Sequence, residues 1–191
     1  MEISLIILIS YLLGSIPFGF LLTKIILKKD IREIGSGNIG ATNVLRTGNK
    51  IIGYSTLILD ILKAVIPILF IKIQFPEFIF ISSLAVFLGH VFPIWLKFNG
   101  GKGVATYVGI LFCINYILGF FFIATWLVVF FISKYSSLSS LLASLIIPIY
   151  YFLIDTENYY FFIIMFILIF YTHRENIKRL KNNTESKTKI Y

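Results

Sequence analysis

Two short stretches hold most of the hydrogen-bond donors of an otherwise apolar chain. Loop 1 reads GSGNIGATNVLRTG from Gly35 to Gly48, and loop 2 reads NGGKG from Asn99 to Gly103. Closely spaced glycines let neighbouring backbone N–H groups point one way, which makes a nest suited to an anion. Ser36, Asn38, Thr42 and Asn43 add uncharged side-chain donors, and Arg46 adds a guanidinium fork that holds phosphate through two N–H groups. A plainer reading of loop 1 is a polar turn with an arginine at a membrane edge. The density of small donors beside Arg46 argues against it.

Both loops come near nucleotide-binding patterns and fail them. Gly35 to Gly40 formally satisfies GxGxxG, but that fingerprint needs a preceding strand and a βαβ unit, whereas apolar helical runs flank it here. Loop 2 is not a Walker sequence, because Leu96 stands where the first glycine belongs and Gly103 follows Lys102 in place of Ser or Thr. What remains is a turn of Gly100, Gly101 and Gly103 with Lys102, opening a helix at Val104. The unpaired N–H groups and partial positive charge of a helix start favour phosphate.

Several other residues invite a chemical reading. His90 lies about two helical turns before the glycines and is a candidate for proton transfer or for support. His173 and Asn176 are spaced to share a helical face with Ile177 and Leu180 in the stretch THRENIKRL, while Arg174, Lys178 and Arg179 point elsewhere, towards lipid headgroups. Phe92, Trp95 and Phe98 read as an interfacial aromatic belt. Asp60 and Lys63 lie inside an apolar run, where ionisable groups invite a functional reading. Their spacing suits a mutually neutralising pair facing the helix bundle. Ser136 to Ser140 (SSLSS) either caps a helix or lines a polar pocket, and both readings stay open.

These loops must be carried by membrane helices. Of 191 residues, 58% are hydrophobic and 17% aromatic, with a mean hydropathy of +0.91. A water-soluble core of this size cannot hide so much apolar surface. The expected fold is all-α, a polytopic integral membrane protein forming a single membrane domain over residues 1–191. Seven transmembrane helices are expected at roughly 3–27, 51–71, 78–96, 104–116, 118–133, 138–154 and 158–172, with a tail from 173 to 191. The first run lacks a basic flank and a small-residue cleavage site, so it reads as an uncleaved span. The run from Val104 to Ser133 is too long for one crossing, and Asn115 to Gly119 offers the break.

Charge sets the expected orientation. With seven spans, Lys28, Lys29, Arg32, Arg46, Lys50, Lys97, Lys102, Lys134 and the basic residues of the tail up to Lys189 share one side; Lys72 falls opposite, with Glu2, Glu77, Asp155 and Glu157. The positive-inside rule then places the N-terminus outside and the C-terminus in the cytoplasm, with both loops and the tail on the cytoplasmic face. The net charge of +8 thus reports cytoplasmic loops and anionic lipid rather than nucleic acid. Cys113 is the only cysteine, which excludes a disulfide framework and a multi-cysteine metal site. No metal and no cofactor is expected.

Taken together, SGNIGATNVLRTG, GHVFPIWLKFNGGKGVAT and HRENIKRL resemble the bacterial acyl-phosphate:glycerol-3-phosphate acyltransferase family, usually called PlsY. The resemblance runs through nearly the whole chain, with the motifs in the family's order. The family usually has a glycine shortly after the last motif, where Asn183 stands here; asparagine tolerates the left-handed turn. The resemblance implies acyl transfer from acyl-phosphate to the 1-hydroxyl of sn-glycerol 3-phosphate, giving lysophosphatidic acid and phosphate, at the cytoplasmic face of a bacterial inner membrane. No His-x₄-Asp motif is present, since Ile94 and Trp95 follow His90, and Ile177 and Lys178 follow His173, near that spacing.

With donor chemistry, the resemblance implies Ser36, Arg46 and Lys102 for the glycerol-phosphate anion. It implies Gly100, Gly101 and Gly103 with Asn38, Thr42 and Asn43 for acyl-phosphate. His90, His173 and the substrate's own phosphate are the candidate proton acceptors, with Asn176 orienting a substrate. A membrane transporter of a phosphorylated solute is the rival reading, but it calls for polar residues in several spans and often a repeat. A docking subunit is a third, and it has no need of donor-rich loops.

Overall fold

The computed structural model describes residues 2–154 and 158–188. Among the described residues the secondary structure is helical, without strands. Residues 155, 157 and 189, which enter the charge count, lie outside the described residues. The chain forms two compact units, residues 1–114 and 115–191.

The first unit holds α1 (Glu2–Gly14), α2 (Phe18–Ile26), α3 (Ala41–Leu45), α4 (Lys50–Gln74), α5 (Ile79–Val91) and α6 (Val104–Ile114). The expected first span is therefore broken. Pro17 lacks an N–H and disfavours helix at the residue before it, so the ladder stops at Gly14 and restarts at Phe18. Helix α4 is the hub and touches α1, α2, α3, α5 and α6. A serine pair, Ser10 Oγ and Ser82 Oγ at 2.9 Å, joins α1 to α5. Lys72, on the side opposite the other lysines in the charge count, donates at 2.6 Å to the Cys113 carbonyl and closes the C-terminus of α6. A cation suits a helix C-terminus.

The second unit holds α7 (Tyr116–Ser133), α8 (Ser136–Ile154), α9 (Tyr159–Thr172) and α10 (Arg174–Lys181). Asn115 begins it as a helix cap, its side chain accepting the Ile117 N–H at 2.9 Å, so the long apolar run divides at the expected asparagine. Helix α8 packs against α7, α9 and α10.

Four helical stretches of the described residues are long and apolar enough to cross a membrane: Glu2–Ile26, Pro76–Leu96, Tyr116–Ser133 and Ser136–Leu153. Val104–Ile114 and Tyr159–Thr172 are apolar but shorter. Helix α4 has the length, at about 37 Å, but carries Asp60 and Lys63. Large apolar side chains stand open on the helices, with Ile132 80% and Ile73 74% exposed. Lipid is the solvent that suits them.

Candidate active site

Loop 1 is held together by one buried amide. Asn43 Nδ2 donates to the carbonyls of Ile34 and Asn38 at 2.8 Å and of Ile31 at 3.2 Å, while its Oδ1 accepts the Ser36 N–H at 2.9 Å. Asn43 thus ties the loop, its amide N–H groups and its oxygen all engaged within it. Asn43→Ala is expected to lower stability by about 2–3 kcal/mol through lost and orphaned hydrogen bonds, measured as thermal unfolding in detergent. Asn38 Oδ1 accepts the Gly40 N–H at 2.9 Å, which leaves its NH₂ as the donor. Ser36, Thr42 and Arg46 are exposed. Arg46 folds back across Gly35, where its Nη1 stands 3.2 Å from the place a Cβ would occupy. Its guanidinium therefore lies against Gly35.

The underside of loop 1 is apolar. Ile31, Ile39, Val44, Ile52 and Leu96 form one buried cluster, flanked by Phe20, Leu22, Leu27 and Ile34. Leu96 belongs to the segment that leads into loop 2, so both loops rest on one base. Arg32 is committed elsewhere, to Asp30 through contacts of 3.0 and 2.6 Å. That hydrogen-bonded guanidinium pulls the Asp30 carboxyl down to about 2.

Loop 2 reverses the chain tightly after α5. The Gly100 N–H donates to the Val91 carbonyl at 3.0 Å and the Gly101 N–H to the His90 carbonyl at 3.1 Å. A side chain at Gly101 would collide with His90 Nε2. Gly103 has φ +82 and lies directly against the Phe87 ring. Its carbonyl accepts the Tyr107 N–H at 2.7 Å and opens α6. Lys102 thus sits beside a true helix start, as the motif predicts. Trp95, 61% exposed, fits the aromatic belt and is also an anchor, donating from Nε1 to Ser15 Oγ at 2.8 Å.

His90 is 3% exposed. Its ring packs behind Gly101, and its Nδ1 stands 3.8 Å from Asp60 Oδ1. His90 thus backs the turn from within the first unit. Asp60 and Lys63 form the expected internal pair at 2.8 Å.

In the second unit, His173 and Asn176 are buried on one face of the chain at α10. His173 Nδ1 lies 2.8 Å from the Ile169 carbonyl. A carbonyl only accepts, so in the neutral ring Nδ1 carries the proton and Nε2 is the acceptor nitrogen. Asn176 Nδ2 donates to Glu185 Oε1 at 2.6 Å. Glu185 is the residue that sequence reasoning missed. It also accepts from Ser137 Oγ at 2.8 Å and from Arg179 Nε at 2.7 Å. Within SSLSS, Ser137 is thus a partner of this carboxylate, while Ser139 and Ser140 donate to the Tyr135 and Ser136 carbonyls. Arg179, expected to meet headgroups, is instead this carboxylate's partner. Asn183 has φ +54, the left-handed turn that brings Glu185 back.

Burial raises the Glu185 pKa, but the hydrogen bonds from Arg179, Asn176 and Ser137 together outweigh it and hold the carboxyl below its ordinary value. A folded pKa below the unfolded one gives stability that is present above the ordinary glutamate range and lost as pH falls through the folded value. Unfolding in detergent should therefore show the native tail loosening below about pH 4.5, and Glu185→Gln should remove that pH dependence.

Comparison with known proteins decides what these loops belong to. The sequence model described as glycerol-3-phosphate acyltransferase matches residues 4–183. A relative named glycerol-3-phosphate acyltransferase from Pelagibacter ubique is 70% identical over the full length of both chains. The chain belongs to the glycerol-3-phosphate acyltransferase family. Two crystal structures of PlsY (YgiH), an integral membrane glycerol 3-phosphate acyltransferase, share its fold. The glycerol 3-phosphate form matches with TM-score 0.91 and 37% identity, covering 98% of this chain and 96% of that one. The lysophosphatidic acid form matches with TM-score 0.88 and 36% identity, covering 98% and 95%. This glycerol-3-phosphate acyltransferase family member is an integral membrane acyltransferase of the PlsY kind.

Proposed function

We propose that the enzyme transfers a fatty acyl group from acyl-phosphate to the 1-hydroxyl of sn-glycerol 3-phosphate, releasing lysophosphatidic acid and inorganic phosphate. The observation that carries the reading is the shared apolar base beneath loops 1 and 2. It supports a phosphate-binding guanidinium and a lysine-flanked helix start in one unit. The relatives solved in glycerol 3-phosphate and lysophosphatidic acid forms support the acceptor and the product. The chain is read as one membrane domain of seven spans in a bacterial inner membrane, N-terminus outside, its loops facing the cytoplasm.

Ser36, Arg46 and Lys102 take the glycerol-phosphate anion. Gly100 and Gly101, their N–H groups bonded to Val91 and His90, shape the turn, and the N–H groups at the start of α6 from Gly103, with Asn38 and Thr42, take acyl-phosphate and the oxyanion that develops at its carbonyl. Asn43 and His90 hold the loops. The acceptor hydroxyl attacks the acyl carbon, the bond from that carbon to the phosphate oxygen breaks, and phosphate leaves with the electron pair. Phosphate is a good leaving group, so most of the task is alignment of the reactants. The hydroxyl proton has two suitable acceptors, the departing phosphate and His173 Nε2, with Asn176 orienting the substrate. His173→Ala is expected to lower kcat by about 10²-fold with KM little changed. Full turnover in that variant assigns the proton to phosphate.

Purified protein supplied with palmitoyl-phosphate and glycerol 3-phosphate should release lysophosphatidic acid and phosphate in equal amounts, with no product when acyl-CoA replaces the donor. A transporter would instead move glycerol 3-phosphate into proteoliposomes without forming lipid, and a docking subunit would do neither.

A further inference from the structure

Asp60 and Lys63 are held in the core of the first unit, 2% and 5% exposed. A buried ion pair gains little over apolar side chains of the same volume, because desolvation offsets the attraction. Its contacts show what else it does. Lys63 Nζ, besides meeting Asp60 at 2.8 Å, donates at 2.8 Å to the Ile16 carbonyl, which stands at the break between α1 and α2. The Phe18 ring centre lies 5.8 Å from the same ammonium. The next residue, Gly19, packs directly on the Ile39 carbonyl of loop 1. On its other side the pair faces His90, 3.8 Å from Asp60, and the His90 ring backs Gly101 of loop 2. The Trp95–Ser15 hydrogen bond of 2.8 Å joins the loop 2 segment to the same helix break.

We infer that the Asp60–Lys63 pair, acting through Ile16 and His90, is a positioning brace that holds the donors of loops 1 and 2 at the spacing of one phosphate ligand. The inference rests on the function proposed above and adds residues that no substrate touches. Lys63 fixes the helix break that seats loop 1, and Asp60 backs the histidine that seats loop 2. Because both ends meet in one ion pair on one helix, a shift of either loop is transmitted to the other. Reactivity is sensitive to such shifts, since misplacement by about 1 Å costs on the order of 10²-fold.

The charge-neutral variant Asp60→Asn/Lys63→Met tests the brace without leaving a lone buried charge. Its melting temperature in detergent should stay close to that of the parent. Its kcat/KM for glycerol 3-phosphate should fall by about 10²-fold. In an Arg46→Ala background the same change should cost only a few-fold more, because registration no longer matters once loop 1 has lost its grip; a merely structural role would multiply the two losses. Amide exchange should rise at Gly100, Gly101 and residues 35–40 while α1 and α5 stay protected. Unchanged kcat/KM, multiplied losses or exchange rising throughout the first unit would each overturn the inference. Should the double variant not accumulate, Trp95→Phe makes the same test from the surface, with a several-fold, Arg46-dependent loss expected and no loss contradicting it. If the parent protein makes no lysophosphatidic acid, the proposed function falls, and the exchange pattern alone then decides the brace.

Discussion

Replacing Arg46 by alanine is expected to raise the KM for glycerol 3-phosphate about 10- to 100-fold while kcat stays within a few-fold. Hydrogen bonds to a charged group are worth about 1.5–3 kcal/mol, and each 1.4 kcal/mol is a factor of about ten. Arg46 is well placed to supply them: it is exposed and folded across Gly35 of the glycine-rich loop, with Nη1 3.2 Å from a Cβ position there. The phosphate of glycerol 3-phosphate keeps its charge through the reaction, so this contact is the same in ground and transition states and shows in KM. Arg46→Lys should recover only part of the loss, since an ammonium lacks the fork. Steady-state kinetics at saturating acyl-phosphate reads the difference, and an unaltered KM would remove Arg46 from the anion site.

Gly101→Ala is expected to act the other way, lowering kcat by about 10²–10³-fold. The added methyl meets His90 Nε2, and the ring cannot give way because it is 3% exposed and backed by Asp60 at 3.8 Å. The turn must move instead. The turn sets the start of α6, whose N–H groups are assigned to charge that develops only as the carbonyl is attacked, so their displacement shows in kcat. Gly48→Ala is the control. It has φ +85 but nothing within 4 Å, so it costs about 1–2 kcal/mol of backbone strain and should leave kcat within several-fold. Single-turnover kinetics with both variants separates the collision from the strain, and equal rates would mean that the His90 contact carries no catalytic consequence.

Much of the site is legible in the sequence because glycine turns and helix starts are local. Gly100 to Gly103 followed by an apolar run predicts an anion-favouring helix start, and α6 opens at Val104. Asn115 is legible as a break for the same reason, since a helix cap needs only its own next residues. Asp60 and Lys63, three apart on one helix, must meet.

What was not legible depends on which way a side chain turns or on where the chain returns. Asn43 has the composition of a ligand donor, and only the fold shows its amide spent on Ile31, Ile34 and Asn38. His90 carries no mark of facing inward. The break at Pro17 hides in a run so apolar that it reads as one span, although Gly14-Ser15-Ile16-Pro17 held the signal. Glu185 is the hardest case. Its bonds to Ser137 and Arg179 depend on the left-handed turn at Asn183, and nothing periodic announces a tail that folds back.

The central claim is that loops 1 and 2 bind one phosphate together on the cytoplasmic side. Protection of Lys102 from an amine-reactive acylating reagent, measured by mass spectrometry on sealed right-side-out and everted membrane vesicles, tests it most directly. The account predicts labelling from the cytoplasmic side only, suppressed by glycerol 3-phosphate in the parent protein and needing at least about tenfold more of it in Arg46→Ala. Labelling of Lys102 from the outer side, or a rate indifferent to glycerol 3-phosphate, would contradict it.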